Sequence, residues 1–248
     1  MRSTFRILPA ALVALVLCAP AAAQQKANRA PGFDKLAPGA RVAIMPADIE
    51  LFEVSGGGIV EPRAEWTAAA QQHVRNAYRL RKEKLGLKVT ELEDDASEPV
   101  LELNRLHNAV AGAIASHHFG LMGLPTKEDK LDWSLGPGVS YVREKTGADY
   151  AIFTFIRDSY LSEERKAAMV IGALFGVGIA GGQIQFAFVS LVDLKSGQVV
   201  WANRVLRATG DLRTAEPAQE TVDAMLTGLI EQAGPPSTAP RPRSIRDW

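Results

Sequence analysis

Two apolar runs separated by three residues do most to limit what this chain can become. GQIQFAFVSLVDL (182–194) and QVVWANRVLRA (198–208) both read as strands, and Lys195-Ser196-Gly197 joins them. A tight loop ending in glycine between two such runs is a hairpin signal. In this hairpin Trp201 is expected on the same side as Val199, filling the core. The hairpin also decides how to read the stretch just before it, AAMVIGALFGVGIAGG (167–182), which contains the glycine spacing of a dinucleotide-binding loop. That loop must open a helix, because the pyrophosphate sits on the free N–H groups of a helix N-terminus. A strand follows Gly176, Gly178 and Gly181 instead, and Asp193 comes too soon for a crossover helix and a second strand to fit between. No nucleotide site is expected.

Two other readings of 167–182 stay open. It carries no charge, and Gly172 with Gly176 has the spacing that lets paired helices pack closely. Yet about 16 residues fall short of a membrane span, which takes roughly 20. Five glycines also weaken an isolated helix by about 1 kcal/mol each relative to alanine. The run is therefore either a connector buried against the sheet or a contact with a sister subunit, an envelope partner or a membrane surface. For the second case the candidate contact residues are Met169, Ile171, Gly172, Leu174, Phe175 and Gly176.

The remaining chain alternates helices and strands. ARVAIMPAD (40–48) is a buried strand running into a loop at Pro46, and SGGGIVEP (55–62) is a break. Residues 63–85 repeat Trp66, Ala70, Val74, Ala77 and Leu80 at helical spacing, and Gly86 ends that helix. LKVTELED (87–94) alternates as a half-buried strand. Pro99 opens a helix whose apolar face is Val100, Leu103, Leu106, Val110 and Ile114. HHFGLMGLPTKEDKLDW (117–133) is an irregular connection, Val139 to Lys145 a short helix closed by Gly147, and DYAIFTFIRDSY (149–160) a strand. Pro217 starts a last helix with Val222, Met225, Leu226, Leu229 and Ile230. No internal repeat is present. The order predicts an α/β (α+β) fold: one domain, a mixed sheet of about five strands with helices packed on it.

The amino terminus points to secretion. Arg2 and Arg6 precede an apolar segment, Ile7 to Leu17, and Ala21-Ala22-Ala23 suits a signal peptidase. Residues 1–23 are expected to be a signal peptide, which places the mature protein in the periplasm or outside the cell. Residues 24–38 are then a flexible segment, 39–233 the α/β domain with its apolar insert 167–182, and 234–248 a disordered tail. Cys18 is the sole cysteine. The alternative, a lipoprotein acylated there, wants a small residue where Leu17 stands. Cleavage after Ala23 leaves no thiol, which excludes disulfides, thiolate chemistry and cysteine-bound zinc. It also leaves 26 basic against 28 acidic residues, so nothing favours nucleic acid.

No catalytic, cofactor or metal constellation is legible. His117 and His118 are adjacent and diverge on a helix, while His73 and His107 lie on separate helices with no ligand spacing. Glu91, Glu93, Asp94 and Asp95 read as a solvated turn, and no serine sits in a nucleophile elbow. Trp248 ends a tail without the alternation of a membrane barrel. A periplasmic enzyme remains the alternative, with a deep pocket lined by His107, His117 or Glu93, as does a small-ligand-binding domain with a closed apolar pocket.

Three stretches carry a resemblance. ARVAIMPAD, KTGADYAIFTFI and VSLVDLKSGQVVWANRV are similar to strand motifs of bacterial envelope proteins related to the curli-secretion lipoprotein CsgG, and to the amino-terminal domain of periplasmic TolB. The turn before the central strand falls on Gly147 to Tyr150 and the hairpin on Val192 to Trp201. The resemblance describes a fold more firmly than a function; the signal segment, the apolar glycine run and the absence of catalytic spacing lead to the expectation of a non-enzymatic envelope protein acting in binding or assembly, as an oligomer or at a membrane. Two departures, the missing lipobox and the absence of long alternating strands in 160–182, speak against pore formation.

Overall fold

In the computed structural model, which describes residues 28–37, 39–85, 88–92, 95–175 and 182–229, a mixed sheet is packed between helices in a single α+β domain. The strands are β1 (Arg41–Ile44), β2 (Asp48–Val54), β3 (Val60–Pro62), β4 (Lys88–Glu91), β5 (Tyr150–Leu161), β6 (Ile184–Asp193) and β7 (Val199–Arg207). The helices are α1 (Ala64–Leu85), α2 (Glu98–Ala113), α3 (Ser140–Thr146), α4 (Glu163–Leu174) and α5 (Ala215–Leu226).

Seven strands occupy five positions across the sheet. β6 takes one edge of β5 along its length, so β1 and β2 must both lie on the other. They form one long line, parallel to β5, with an irregularity between them. Val42 pairs with Tyr150 and Ile44 with Ile152, whereas Asp48 pairs with Phe155. Four steps on one strand match three on its neighbour, which is a β-bulge. Pro46 sits in it, where a missing N–H costs no ladder bond, and Asn104 Nδ2 donates to the Pro46 carbonyl at 2.9 Å. The expected loop at Pro46 is therefore a bulge, and the strand resumes. β4 flanks β1, β3 flanks β2, and β7 closes the far side against β6. The expected break at 55–62 likewise ends in a strand, β3.

Two cores lie on the two faces. Val42, Ile44, Ile49, Leu51, Ile152, Ile156, Val189 and Trp201 meet Val74 and Ala77 of α1 and Val222 and Met225 of α5. Ala43, Met45, Phe153, Phe188, Val199 and Ala202 meet Val100 and Leu103 of α2 and Val142 of α3. The bulge explains why Ile44 and Ile49 share a face although five residues apart. A second irregularity, between Leu191 and Val192, pairs Leu191 with Trp201 and Val192 with Val199. Val200 is the extra residue, so Trp201 and Val199 face opposite cores rather than the same one.

Two helical stripes also shift. Leu80 is exposed, and Tyr78 is buried in its place with its hydroxyl 2.7 Å from Thr154 Oγ1. On α2 the buried line is Val100, Leu103, His107 and Ala111, while Leu106 is exposed. Residues 28–30 run along the outer edge of β7, with Ala30 N donating to Val200 O and Ala202 N to Asn28 O, each at 2.9 Å. Gly86, Glu93, Asp94, Ile230 and the tail 234–248 lie outside the described residues, as does the segment 1–23.

Candidate functional site

The apolar run before the hairpin begins as a helix. Ser162 caps α4, its Oγ accepting the Arg165 N–H at 3.2 Å, and Glu163 and Glu164 favour the positive end of the helix. Ser162 N–H donates to Val54 O at 3.0 Å, which ties the start of α4 to the end of β2. The turn after β2 leaves room for it: a Cβ at Gly56 would stand 3.3 Å from the Glu164 Cβ. No residue of α4 is buried, and the helix has no extensive packing against any other element. Val170, Ile171, Leu174 and Phe175 are 62%, 56%, 80% and 79% exposed.

The sheet beside it is bare on one side. Residues opposite one another on neighbouring strands share a face, and three cross-strand rows result. Asp48, Phe155, Phe188 and Arg204 make the first; Glu50, Arg157, Phe186 and Leu206 the second; Phe52, Ser159 and Ile184 the third. Phe188 is buried under the α2 layer, and Phe186 packs against the edge of that core. Phe186 and Phe52 are half-buried, and Ile184 and Leu206 are exposed. The Arg157 guanidinium lies 4.2 Å from the Phe155 ring centre, held by Asp48 at 2.8 Å and Glu50 at 3.4 Å. Beyond the first row, Phe186, Leu206, Phe52 and Ile184 surround the Glu50–Arg157 pair and Ser159, with no helix packed over them among the described residues.

The opposite face of the same strands is closed by a polar network. Asp158 is buried, and its Oδ2 accepts from Tyr160 Oη at 2.6 Å and Gln185 Nε2 at 2.7 Å. Burial pushes the Asp158 carboxyl above its ordinary range against the pull of those two bonds, and raises the Tyr160 phenol as well. Gln185 Oε1 accepts from Arg207 Nε at 2.8 Å, and Tyr160 Oη accepts the Leu212 N–H at 2.8 Å. Arg213 lies over Tyr160 and Trp66 and pairs with Asp211 at 2.7 Å. These bonds fasten the chain after β7 to β5 and β6.

The histidines divide by environment. His107 is buried, with Nε2 2.9 Å from Ser190 Oγ and its ring stacked on Phe153 at 5.0 Å. Burial lowers its pKa to about 4, although Asn108 and the Asp48 charge pull it up. His117 is 2.7 Å from the Met122 carbonyl through Nδ1. No group of three potential metal ligands occurs among the described residues. Asp95 accepts from Lys145 at 2.5 Å, which with Ser97 holds its carboxyl down at about 2. A cavity of about 370 Å³ lies between α1 and α2, and neither His107 nor His117 lines it.

The structure brings Met169, Ile171, Gly172, Leu174 and Phe175 onto one protruding helix, while Gly176 lies outside the described residues. Met169 and Gly172 are half-buried, and Ile171, Leu174 and Phe175 are exposed. No helix among the described residues is long and apolar enough to cross a membrane. Sequence reasoning did not single out the sheet face, Phe52, Phe186, Ile184 and Leu206, because each strand there alternates like any half-buried strand.

No family model matches the chain, and no characterised protein matches it by sequence. Among solved structures, the PelC dodecamer from Paraburkholderia phytofirmans is similar at 13% identity and a TM-score of 0.35, over 79% of this chain and 92% of that one. Lipoprotein GNA1162 from Neisseria meningitidis is similar at 12% identity and 0.29, over 74% and 92%. The LpoB C-terminal domain from Escherichia coli is similar at 11% identity and 0.29, over 73% and 90%. TM-scores this low carry no argument about activity or partners, and they do not single out the curli-secretion family.

Proposed function

We propose that this chain is a secreted, non-enzymatic protein of the cell envelope that works by binding or assembly, with α4 and the bare half of the sheet as its contact surface. The observation that carries the reading is the exposure of α4 together with a sheet face that has no helix packed over it among the described residues. The large apolar residues of α4 and the exposed Ile184 and Leu206 of the sheet are complementary in water. The occupant this favours is a second copy, with α4 of one subunit covering Phe186, Ile184 and Leu206 of the next. The energetics require both halves. Val170, Ile171, Leu174 and Phe175 gain at most about 2 kcal/mol each on burial, while association costs about 4–15 kcal/mol. The helix alone barely meets that cost, and the sheet residues must supply the surplus. The signal-like segment 1–23 supports placement in the envelope.

The test is analytical ultracentrifugation of the mature chain with and without the pair Leu174→Asp and Phe175→Asp. Both positions are exposed, so the thermal midpoint should stay put, with a stability change within about 0.5 kcal/mol. The native chain should sediment as an oligomer and the variant as a monomer. A native monomer that resists alkaline carbonate extraction from membranes would assign the surface to lipid instead. A native monomer that is also fully soluble would overturn the proposal.

A further inference from the structure

We infer that the cavity between α1 and α2 is a binding site for a small molecule with an apolar body and one anionic head, a carboxylate or a phosphate ester. The site exists because of the bulge. β4 flanks the line of β1 and β2 only as far as Ile44, and β3 flanks it only from Phe52 onward. Between them the outer edge of the strand has no strand neighbour among the described residues, and α1 and α2 stand over it from opposite faces of the sheet. The result is a slot rather than a flat edge.

Its floor and walls are apolar: Ile44, Met45, Ile49, Val74 and Leu101. Its polar side chains are Gln71, Arg75 and Tyr78 from α1, Asn104 and Arg105 from α2, and Asp48. Arg75 and Arg105 both line this one small cavity, and guanidinium is the side-chain group best shaped for carboxylate or phosphate. The acid that also lines the slot is engaged elsewhere. Asp48 pairs with Arg157 at 2.8 Å and accepts from Asn108 Nδ2 at 2.5 Å. The pairing of Arg105 with Glu98, 3.1 Å apart and well exposed, is of the kind worth about 0–1 kcal/mol, so a ligand displaces it easily.

The backbone adds a donor. Leu51 uses its N–H and C=O on the outer edge, the first bonded to Thr67 Oγ1 at 3.0 Å and the second to Arg63 N at 2.8 Å. Groups on one strand edge recur every second residue. The Ile49 amide therefore points out of the same edge, into the slot. The volume of about 370 Å³ is at the small end of ligand pockets, which run from about 300 to 1,000 Å³. This size suits a single ring system or a short acyl chain rather than a polymer. None of these residues belongs to α4 or the bare sheet face, so the site stands or falls independently of the assembly proposed above.

The test is methyl-detected NMR of the mature chain with three probes of one shape: 2-naphthoate, 2-naphthyl phosphate and neutral 2-naphthamide. The signals of Ile44, Met45, Ile49, Val74 and Leu101 should shift and saturate with at least one of the acids, at least tenfold more tightly than with the amide. Whichever acid binds more tightly identifies the head group. The double variant Arg75→Gln and Arg105→Gln should remove that preference. Equal affinity for acid and amide, shifts confined to Ile171 and Leu174, or no shift with any probe would each overturn the assignment. The comparison of acid with amide uses the native chain, so it stands even if the variant loses stability.

Discussion

Acid should destabilise this fold through the buried imidazole of His107. His107 sits on α2 against Phe153 and Ser190, and burial lowers its pKa from the ordinary 6.5 to about 4. The folded state therefore keeps the ring neutral at a pH where the unfolded chain takes up a proton. Its contribution is complete above pH 6.5 and is lost as pH falls towards 4. The gap of about 2.5 units corresponds to roughly 3 kcal/mol, of which about 2 kcal/mol is already lost at pH 5. The groups that pull the other way, Asn108 and Asp48, are included in that shift. Urea denaturation at pH 7.5, 5 and 4 of the native chain and of His107→Gln provides the measurement. The variant loses stability at pH 7.5 from the lost stacking and hydrogen bond, but its pH dependence should be flatter by about 3 kcal/mol over the range. Asp158, Asp95 and the other carboxylates are common to both proteins and cancel in the difference. Parallel pH profiles, or a His107 ring signal titrating near 6.5 in the folded protein, would refute the reasoning.

Two further substitutions probe the hairpin. Gly197 has φ +76°, and a Cβ there would stand 2.2 Å from the Gly136 carbonyl. Gly197→Ala should cost more than about 2 kcal/mol, since left-handed backbone alone costs an alanine about 1–2 kcal/mol, and the loss should appear as a lower urea midpoint. Asn203 Nδ2 donates to the Ala224 and Met225 carbonyls at 3.1 and 2.8 Å, satisfying the end of α5. Asn203→Ala should cost about 1–3 kcal/mol, and hydrogen exchange should be faster at the last turn of α5 than in its middle.

Legibility followed local chemistry. The hairpin was readable because both strands and the turn Lys195-Ser196-Gly197 lie within one short window, and Asp193 Oδ1 accepts the Lys195 and Ser196 amides at 2.7 and 2.9 Å. Helix α3 was readable for the same reason: Gly147 has φ +68° where a chain must leave a helix. The segment ELFEV was not recognised as a strand, because Pro46 and the glycines at 56–58 look like boundaries and the bulge breaks the period of two. α4 was hidden by its own composition. The glycines argued against a helix, while the signal for one, Ser162 followed by two glutamates, lay just upstream of the apolar run. Neither the slot nor the bare face was legible at all. Each depends on where strands stop beside one another, and that is set by pairing between residues far apart in the chain.

The bulge at Pro46 gives this stretch a sensitivity to length that differs from its sensitivity to side chains. Most substitutions between Met45 and Ala47 keep the count of residues, and with it the assignment of Ile49 and Leu51 to one core and of Glu50 and Phe52 to the other face. Removal of any one of the three leaves three steps on this strand against three on β5, so the bulge closes while Ile49 and Leu51 keep both their core and their partners. Addition of one leaves five steps against three, and β2 must then slide its pairing with β5 or bulge out two residues where one stands now. Across variants of this chain, the segment should lose one residue far more readily than it gains one.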